Sequence, residues 1–219
     1  MLLYKIKRSR KMEQKEYWNN IADTKEFTTP FNLSEFSNFV KKDMKILDVG
    51  CGYGRTLNEL YDFGYKNLYG IDFSGNMIKR ARMNNPSIDF KVNDVDLPYK
   101  DDTFDAVILF AVLTCISDND TQRDLIREIY RVLKPGGIVY VNDFLLNNDE
   151  RNINRYNKYK DKYGIYGVFE LEEGAILRHH DYGYIKGLLN VFDKLKFKRE
   201  TFKTMNGHTS NGFYFFGKK

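Results

Sequence analysis

Short apolar runs, bounded by polar turns and separated by amphipathic stretches, recur along the chain from Lys45 onward. Residues 45–50, 67–72, 88–92, 105–110 and 138–143 read as strands, and 105–110 and 138–143 are apolar almost throughout, as expected of parallel strands buried on both faces. Helices are expected between them near 55–63, 75–82 and 121–133, the last with Leu125, Ile126, Ile129, Tyr130 and Leu133 on one face. Alternating strands and helices imply right-handed crossovers and a mostly parallel α/β sheet. A helix near 182–192 then precedes two runs, 197–204 and 212–217, split by the polar turn Asn206-Gly207-His208, which reads as a terminal hairpin.

With 219 residues and 42% hydrophobic content, the chain can bury one substantial core, so a single domain over 1–219 is expected. No apolar run approaches membrane-spanning length. The apolar start, Met1 to Tyr4, is too short for a signal sequence and is followed by charged residues, which points to a cytoplasmic protein. The two cysteines, Cys51 and Cys115, are not arranged as Cys-x-x-Cys and suit a reducing compartment. The net charge of +5 arises from 35 basic and 30 acidic residues, too even a mixture to predict a nucleic-acid partner. The densest basic run, Lys5 to Lys11, reads as a solvated terminus.

The candidate chemistry begins at Leu47-Asp48-Val49-Gly50-Cys51-Gly52-Tyr53-Gly54, a strand running into three alternating glycines and then a helix. Glycine permits positive φ and leaves no Cβ between backbone and ligand, so such a loop can press its amides against a nucleotide cofactor. A dinucleotide fingerprint has its third glycine three positions after the second, where this chain has Arg55. No Gly-Lys-Ser/Thr follows, so a phosphate-binding loop is also absent.

The segment resembles the glycine-rich motif of class I S-adenosylmethionine-dependent methyltransferases. That resemblance implies a Rossmann-like, mostly parallel seven-stranded sheet with a C-terminal antiparallel hairpin, helices on both faces, and S-adenosylmethionine as cofactor. Further matches follow in order. Asp72 closes the second run, where the family has an acid for the ribose hydroxyls, and Phe73 and Met77 lie in the following turn and helix start beside the adenine. Asn93, Asp94 and Val95 form the acidic turn expected at the adenine amino group, and Leu133-Lys134-Pro135-Gly136-Gly137 is a further family mark. The implied cofactor set is Asp48, Gly50, Cys51, Gly52, Gly54, Asp72, Phe73, Met77, Asn93, Asp94, Val95, Phe110 and Trp18. The matches extend from about Lys45 to Asp143.

Two segments outside this core bear on the acceptor. Residues 1–40 carry the aromatic stretch Tyr17-Trp18, expected as a lid, and residues 145–178 form an insertion expected to cap the acceptor pocket. Tyr17, Arg178 and Asp143 are candidate substrate contacts; an arginine suits an acidic acceptor group. His180, and next His179, are candidate general bases, since imidazole titrates near neutrality. Cys115 has apolar neighbours that argue against a nucleophile. No metal site is expected, because the carboxylates that catechol-type enzymes use after the fourth strand are missing. The expected activity is methyl transfer to a small molecule, releasing S-adenosylhomocysteine. A non-catalytic adenosylmethionine-binding regulatory module and an RNA or protein methyltransferase stay open as alternatives, whereas a nicotinamide-dependent oxidoreductase fits the glycine spacing poorly. Oligomeric state and acceptor atom are not encoded in any motif.

Overall fold

The computed structural model describes residues 12–93, 96–204 and 207–219. Residues 12–20 form helix α1. There follow α2 (Leu33–Phe39), β1 (Ile46–Val49), α3 (Arg55–Asp62), β2 (Leu68–Asp72), α4 (Gly75–Asn84), β3 (Asp89–Val92), β4 (Phe104–Phe110), α5 (Asn119–Val132), β5 (Leu133–Phe144), α6 (Glu150–Tyr163), β6 (Val168–Glu170), β7 (Ile176–Arg178), α7 (Tyr182–Leu188), β8 (Asp193–Lys203) and β9 (Thr209–Lys218). Seven strands form one sheet in the order β3-β2-β1-β4-β5-β9-β8, and β6 and β7 pair separately. Strands β1 to β5 pair in parallel, while β9 runs antiparallel to both β5 and β8. The chain order reverses between β1 and β4, which opens a crevice at their carboxyl ends, the usual ligand position in such sheets.

The apolar runs explain the layers. Along β4, Val107 and Leu109 point into a core shared with Leu125 and Ile129 of α5, Ile185 of α7 and Phe213 and Phe215 of β9. Ala106 and Ile108 point the other way, against Phe36 of α2, Leu57 and Leu60 of α3, and Tyr140. Side chains alternate across a strand, so only a run apolar at every position can serve both faces. Helix starts follow local chemistry. The side chains of Ser74, Asp118, Asp149 and Asp181 accept hydrogen bonds from the amides of Met77, Thr121, Asn152 and Tyr184, the usual N-cap arrangement.

Three local expectations are corrected. The Leu133 to Gly137 turn lies within β5: Phe104 pairs with Leu133 and Ala106 with Ile138, so the intervening residues leave the ladder and return. Helix α7 stops at Leu188, and β8 begins at Asp193, four residues earlier than the apolar pattern suggests. Here lysines alternate with Leu195 and Phe197 on an edge strand, a pattern natural to an exposed sheet margin. The segment 145–178 contains a 14-residue helix, α6, and the β6–β7 pair.

Candidate active site

The glycine loop is fastened to the end of β2. The amides of Gly50 and Cys51 donate to Ile71 O at 2.8 and 3.0 Å, and Gly52 N donates to Asp72 Oδ2 at 2.9 Å. All three loop glycines have positive φ: 74° at Gly50, 53° at Gly52 and 81° at Gly54. A Cβ at Gly52 would lie 2.6 Å from Phe27 Cε2, and one at Gly54 2.8 Å from Phe90 Cζ. Gly52 and Gly54 therefore admit the protein's own aromatic rings, a requirement that spacing alone does not disclose. Cys51 is buried in the loop and points its thiol at Gly52 O.

Two carboxyls stand side by side beneath this loop. Asp72 Oδ1 accepts from Ser74 N at 2.8 Å, so each of its oxygens holds one backbone amide. Burial, only partly countered by those amides, raises its pKa to about 6. Asp48, on neighbouring β1, is 2% exposed, and its Oδ1 has no hydrogen-bond partner. Burial and the nearby Asp72 push its carboxyl well above the usual range, against the opposing pull of Arg55. No lysine or arginine among the described residues forms an ion pair with either acid. A buried acid with an orphaned oxygen, beside an unpaired second acid and a glycine cradle, fits a ligand that brings positive charge and hydroxyl donors. S-adenosylmethionine carries both.

Helix α1 and the chain after it roof the crevice. Asn19 Oδ1 accepts from Ser74 Oγ at 2.7 Å and from Asn76 N at 3.2 Å, while Asn76 Nδ2 donates to Asn19 O at 3.0 Å. At the other end of α1, Gln14 Nε2 donates to Gly174 O at 3.2 Å and Ile176 N donates to Gln14 Oε1 at 2.9 Å. Trp18 lies 6.2 Å from Phe27, which stacks on Tyr53 of the glycine loop at 5.0 Å. Tyr53 OH accepts from Phe27 N and donates to Glu26, and Arg80 lies over its ring at 4.0 Å while donating to Ala22 O and Lys25 O. Met77 is buried in this cluster with Ala22 and Tyr53. Tyr17 packs edge-on to Trp18 at 5.2 Å; burial first, then Glu173 and Cys115, raise its hydroxyl pKa to about 12. Gln14, Asn19, Phe27, Tyr53 and Arg80 are additions that sequence reasoning missed, because nothing in their spacing marks them.

Of the remaining cofactor candidates, Asn93 N donates to Asp72 O at 2.9 Å and its Nδ2 to Asp96 O at 2.6 Å. Asp94 and Val95 lie outside the described residues. Phe110, at the end of β4, is partly buried with Phe31 at 6.1 Å and the Arg55 guanidinium at 5.5 Å. Phe73, next to Asp72, is half-buried. After Phe110 the backbone turns through Ala111 at φ 56°, a left-handed conformation that a non-glycine residue adopts only at a cost. Its amide donates to Asn142 O at 2.7 Å.

His179, His180 and their neighbours belong to the protein interior. His180 is fully buried; its Nδ1 donates to Phe144 O at 3.0 Å, and the Gln122 Nε2 amide lies 2.9 Å from its Nε2. Burial, then Arg178, lowers its pKa to about 3. His179 Nδ1 accepts from Tyr156 OH at 2.6 Å and Asn147 Nδ2 at 3.0 Å, and burial holds it well below the ordinary imidazole range. Asp143 is fully buried, accepting from Thr114 N at 3.1 Å and Phe144 N at 2.8 Å; burial raises it to about 7. Arg178, 4% exposed, donates to Asn119 Oδ1 at 2.8 Å and lies over the Tyr184 ring at 4.4 Å. The structure thus groups Asp48, the glycines, Asp72 and the α1 aromatics at one crevice, and gathers His179, His180, Asp143 and Arg178 in a buried network beside it.

A mostly parallel seven-stranded sheet with a reversed β9 and a glycine loop beside paired acids is the arrangement that the resemblance to class I S-adenosylmethionine-dependent methyltransferases implies. Residues 47–141 match the family model described as a methyltransferase domain. The chain is 34% identical over 131 residues to cycloartenol-C-24-methyltransferase 1 of Oryza sativa subsp. japonica, covering 56% of this chain and 37% of that protein. It is 38% identical over 103 residues to demethylmenaquinone methyltransferase of Streptomyces avermitilis, covering 46% and 42%. It thus spans less than half the length of these curated relatives. The crystal structure of a SAM-dependent methyltransferase from Methanosarcina mazei superposes with a TM-score of 0.81 at 27% identity, covering 88% of this chain and 99% of that one. The chain is thus similar over residues 47–141 to methyltransferase domains, and over most of its length it shares the fold of that solved structure.

Proposed function

We propose that this chain transfers a methyl group from S-adenosylmethionine to a small-molecule acceptor and releases S-adenosylhomocysteine. The single observation that carries the donor assignment is the pairing of Asp48, with its orphaned oxygen, and Asp72 beneath the glycine loop. The bound donor supplies a methyl group already made electrophilic by its sulfonium charge. The protein's share is to align the reactants and exclude water. Asp72 holds the ribose hydroxyls, the Gly50 to Gly54 loop lines the donor, and Trp18 and Tyr17 close over it. The names of the relatives support a small-molecule acceptor, and residues 145–178 would bound its pocket. Arg178 and Asp143 serve that pocket from behind by holding its walls.

We further propose that neither His179 nor His180 is a general base. Each Nδ1 is engaged in a hydrogen bond, and both rings stay neutral within the interior. The acceptor then presents its nucleophile without help from these imidazoles. Residues 1–219 act as one catalytic domain in a reducing, cytoplasmic setting, consistent with the two free cysteines. Among the described residues no helix is long and apolar enough to cross a membrane. Calorimetric titration with S-adenosylhomocysteine, with NADH in parallel, tests the donor assignment. Binding of the first alone is expected, and binding of NADH alone would overturn the proposal.

A further inference from the structure

Helix α1 is tied at both ends to different parts of the crevice. Near its carboxyl end, Ser74 Oγ and Asn76 N donate to Asn19 Oδ1 at 2.7 and 3.2 Å, and Ser74 N is itself held by Asp72 Oδ1 at 2.8 Å. Near its amino end, the Gln14 carboxamide closes a reciprocal pair on the β6–β7 turn: Nε2 donates to Gly174 O at 3.2 Å and Oε1 accepts from Ile176 N at 2.9 Å. Gln14 and Asn19 lie within one continuous helix, about 7.5 Å apart along its axis. A helix of that length moves as a unit, so a displacement at one end reaches the other.

The hairpin that Gln14 holds needs such outside support. Strands β6 and β7 have three residues each and pair with each other rather than with the main sheet, and a two-stranded hairpin is marginal by itself. Tyr17, buried between Gln14 and Asn19, faces the same turn: a Cβ at Gly174 would lie 4.0 Å from its Cδ2. From the turn, β7 runs to Arg178, whose carbonyl accepts from Thr114 Oγ1 at 2.8 Å just beyond the end of β4. The position of α1 therefore bears on the hairpin, and the hairpin on the chain that leaves β4.

We propose that Gln14 is a positioning residue for methyl transfer: bound donor seats α1 through Trp18 and the Asn19 contact, and Gln14 passes that seating to the β6–β7 hairpin, so that the acceptor pocket is completed only when the donor is in place. This rests on the donor and pocket assignments proposed above. The effect reaches beyond covering the donor, because it is read in a hairpin outside the donor site. By linkage, a seated hairpin tightens the hold on the donor in return.

The test follows amide hydrogen exchange of the full chain with and without saturating S-adenosylhomocysteine, in the wild type and in Gln14→Met, which keeps side-chain length and helix preference and removes both hydrogen bonds. In the wild type the ligand is expected to slow exchange at 50–54 and also at 168–178, the latter by about tenfold, commensurate with two modest hydrogen bonds. In Gln14→Met the slowing at 50–54 remains and that at 168–178 disappears. A tie that served stability alone would raise exchange at 168–178 equally with and without ligand, leaving the ligand-dependent difference intact; that result overturns the inference. So does a wild-type hairpin indifferent to a ligand that protects the loop. Absence of protection at 50–54 together with absence of calorimetric binding marks the donor assignment itself as wrong, a separate and recognisable result. Should Gln14→Met fail to fold, the wild-type comparison of the two segments decides alone.

Discussion

Replacing Asp72 with asparagine separates what this residue does for folding from what it does for the donor. At neutral pH the wild-type carboxylate is ionised in a buried place, and the rise from 3.8 to about 6 corresponds to roughly 3 kcal/mol of destabilisation. Asparagine removes that penalty. It also turns an N–H toward either Gly52 N or Ser74 N, now 2.9 and 2.8 Å from acceptor oxygens, and an unsatisfied buried donor costs about 1–3 kcal/mol. The two effects oppose each other, so Tm should move by only a few degrees, at about 2–4 °C per kcal/mol for a chain of this size. Donor binding has no such compensation. Loss of charge-assisted acceptance from the ribose hydroxyls should weaken S-adenosylhomocysteine by about 1.5–3 kcal/mol, roughly 10- to 150-fold. The pH dependence has a definite sign. Because the folded-state value lies above the unfolded one, the stability linked to this proton is complete below about pH 4 and is lost as pH rises through 6. Ligand affinity moves oppositely: hydroxyl donors favour the ionised acid, so wild-type affinity should rise through pH 6 and the Asn variant's should not. Calorimetry from pH 5 to 8 with a parallel thermal melt reads both. A folded Asp72→Asn protein with wild-type affinity would refute the ribose assignment.

Asn19→Ala removes the acceptor for Ser74 Oγ and Asn76 N and should loosen α1; Trp18, the only tryptophan, reports this as altered fluorescence and faster S-adenosylhomocysteine release in stopped flow. Ile129→Ala empties a fully buried position under α5 and should cost about 2–5 kcal/mol in chemical denaturation, with ligand affinity in the surviving folded protein unchanged. His180, depressed to about 3 in the folded chain, binds its proton earlier when unfolded, so its contribution is complete above about pH 6.5 and is lost as pH falls toward 3. His180→Gln should flatten that acid limb in urea titrations, and methyl-transfer activity, once an acceptor is found, should keep its pH profile.

The sheet was legible because parallel strands buried on both faces need continuous apolar runs, and β4, Phe104–Phe110, has one. The glycine loop and Asp72 were legible because their chemistry is local: three positive-φ positions and one acid at a strand end. What the sequence concealed is tertiary. Gln14 reaches Gly174 and Ile176 across 160 residues or more, and no spacing rule links such positions. The histidine pair was an inviting proton-transfer site by composition, yet Tyr156 of α6 and Gln122 of α5 enclose both rings. Burial of this kind depends on helix packing, which a polar, tyrosine-rich segment such as α6 signals weakly. The same holds for Ala111: alanine carries no mark of a left-handed turn, which arises where the chain leaves β4 and its amide meets Asn142 O.

Helix α1 grips α4 through Asn19 and the β6–β7 pair through Gln14. The variable segment after β5 is therefore no freely exchangeable module. A chimera that imports the 145–178 segment of a relative to acquire a new acceptor would present a foreign backbone to Gln14, and the fault would surface as poor donor retention. Successful transplants should carry the first helix with the segment, or restore a carbonyl and an amide where Gly174 and Ile176 now stand.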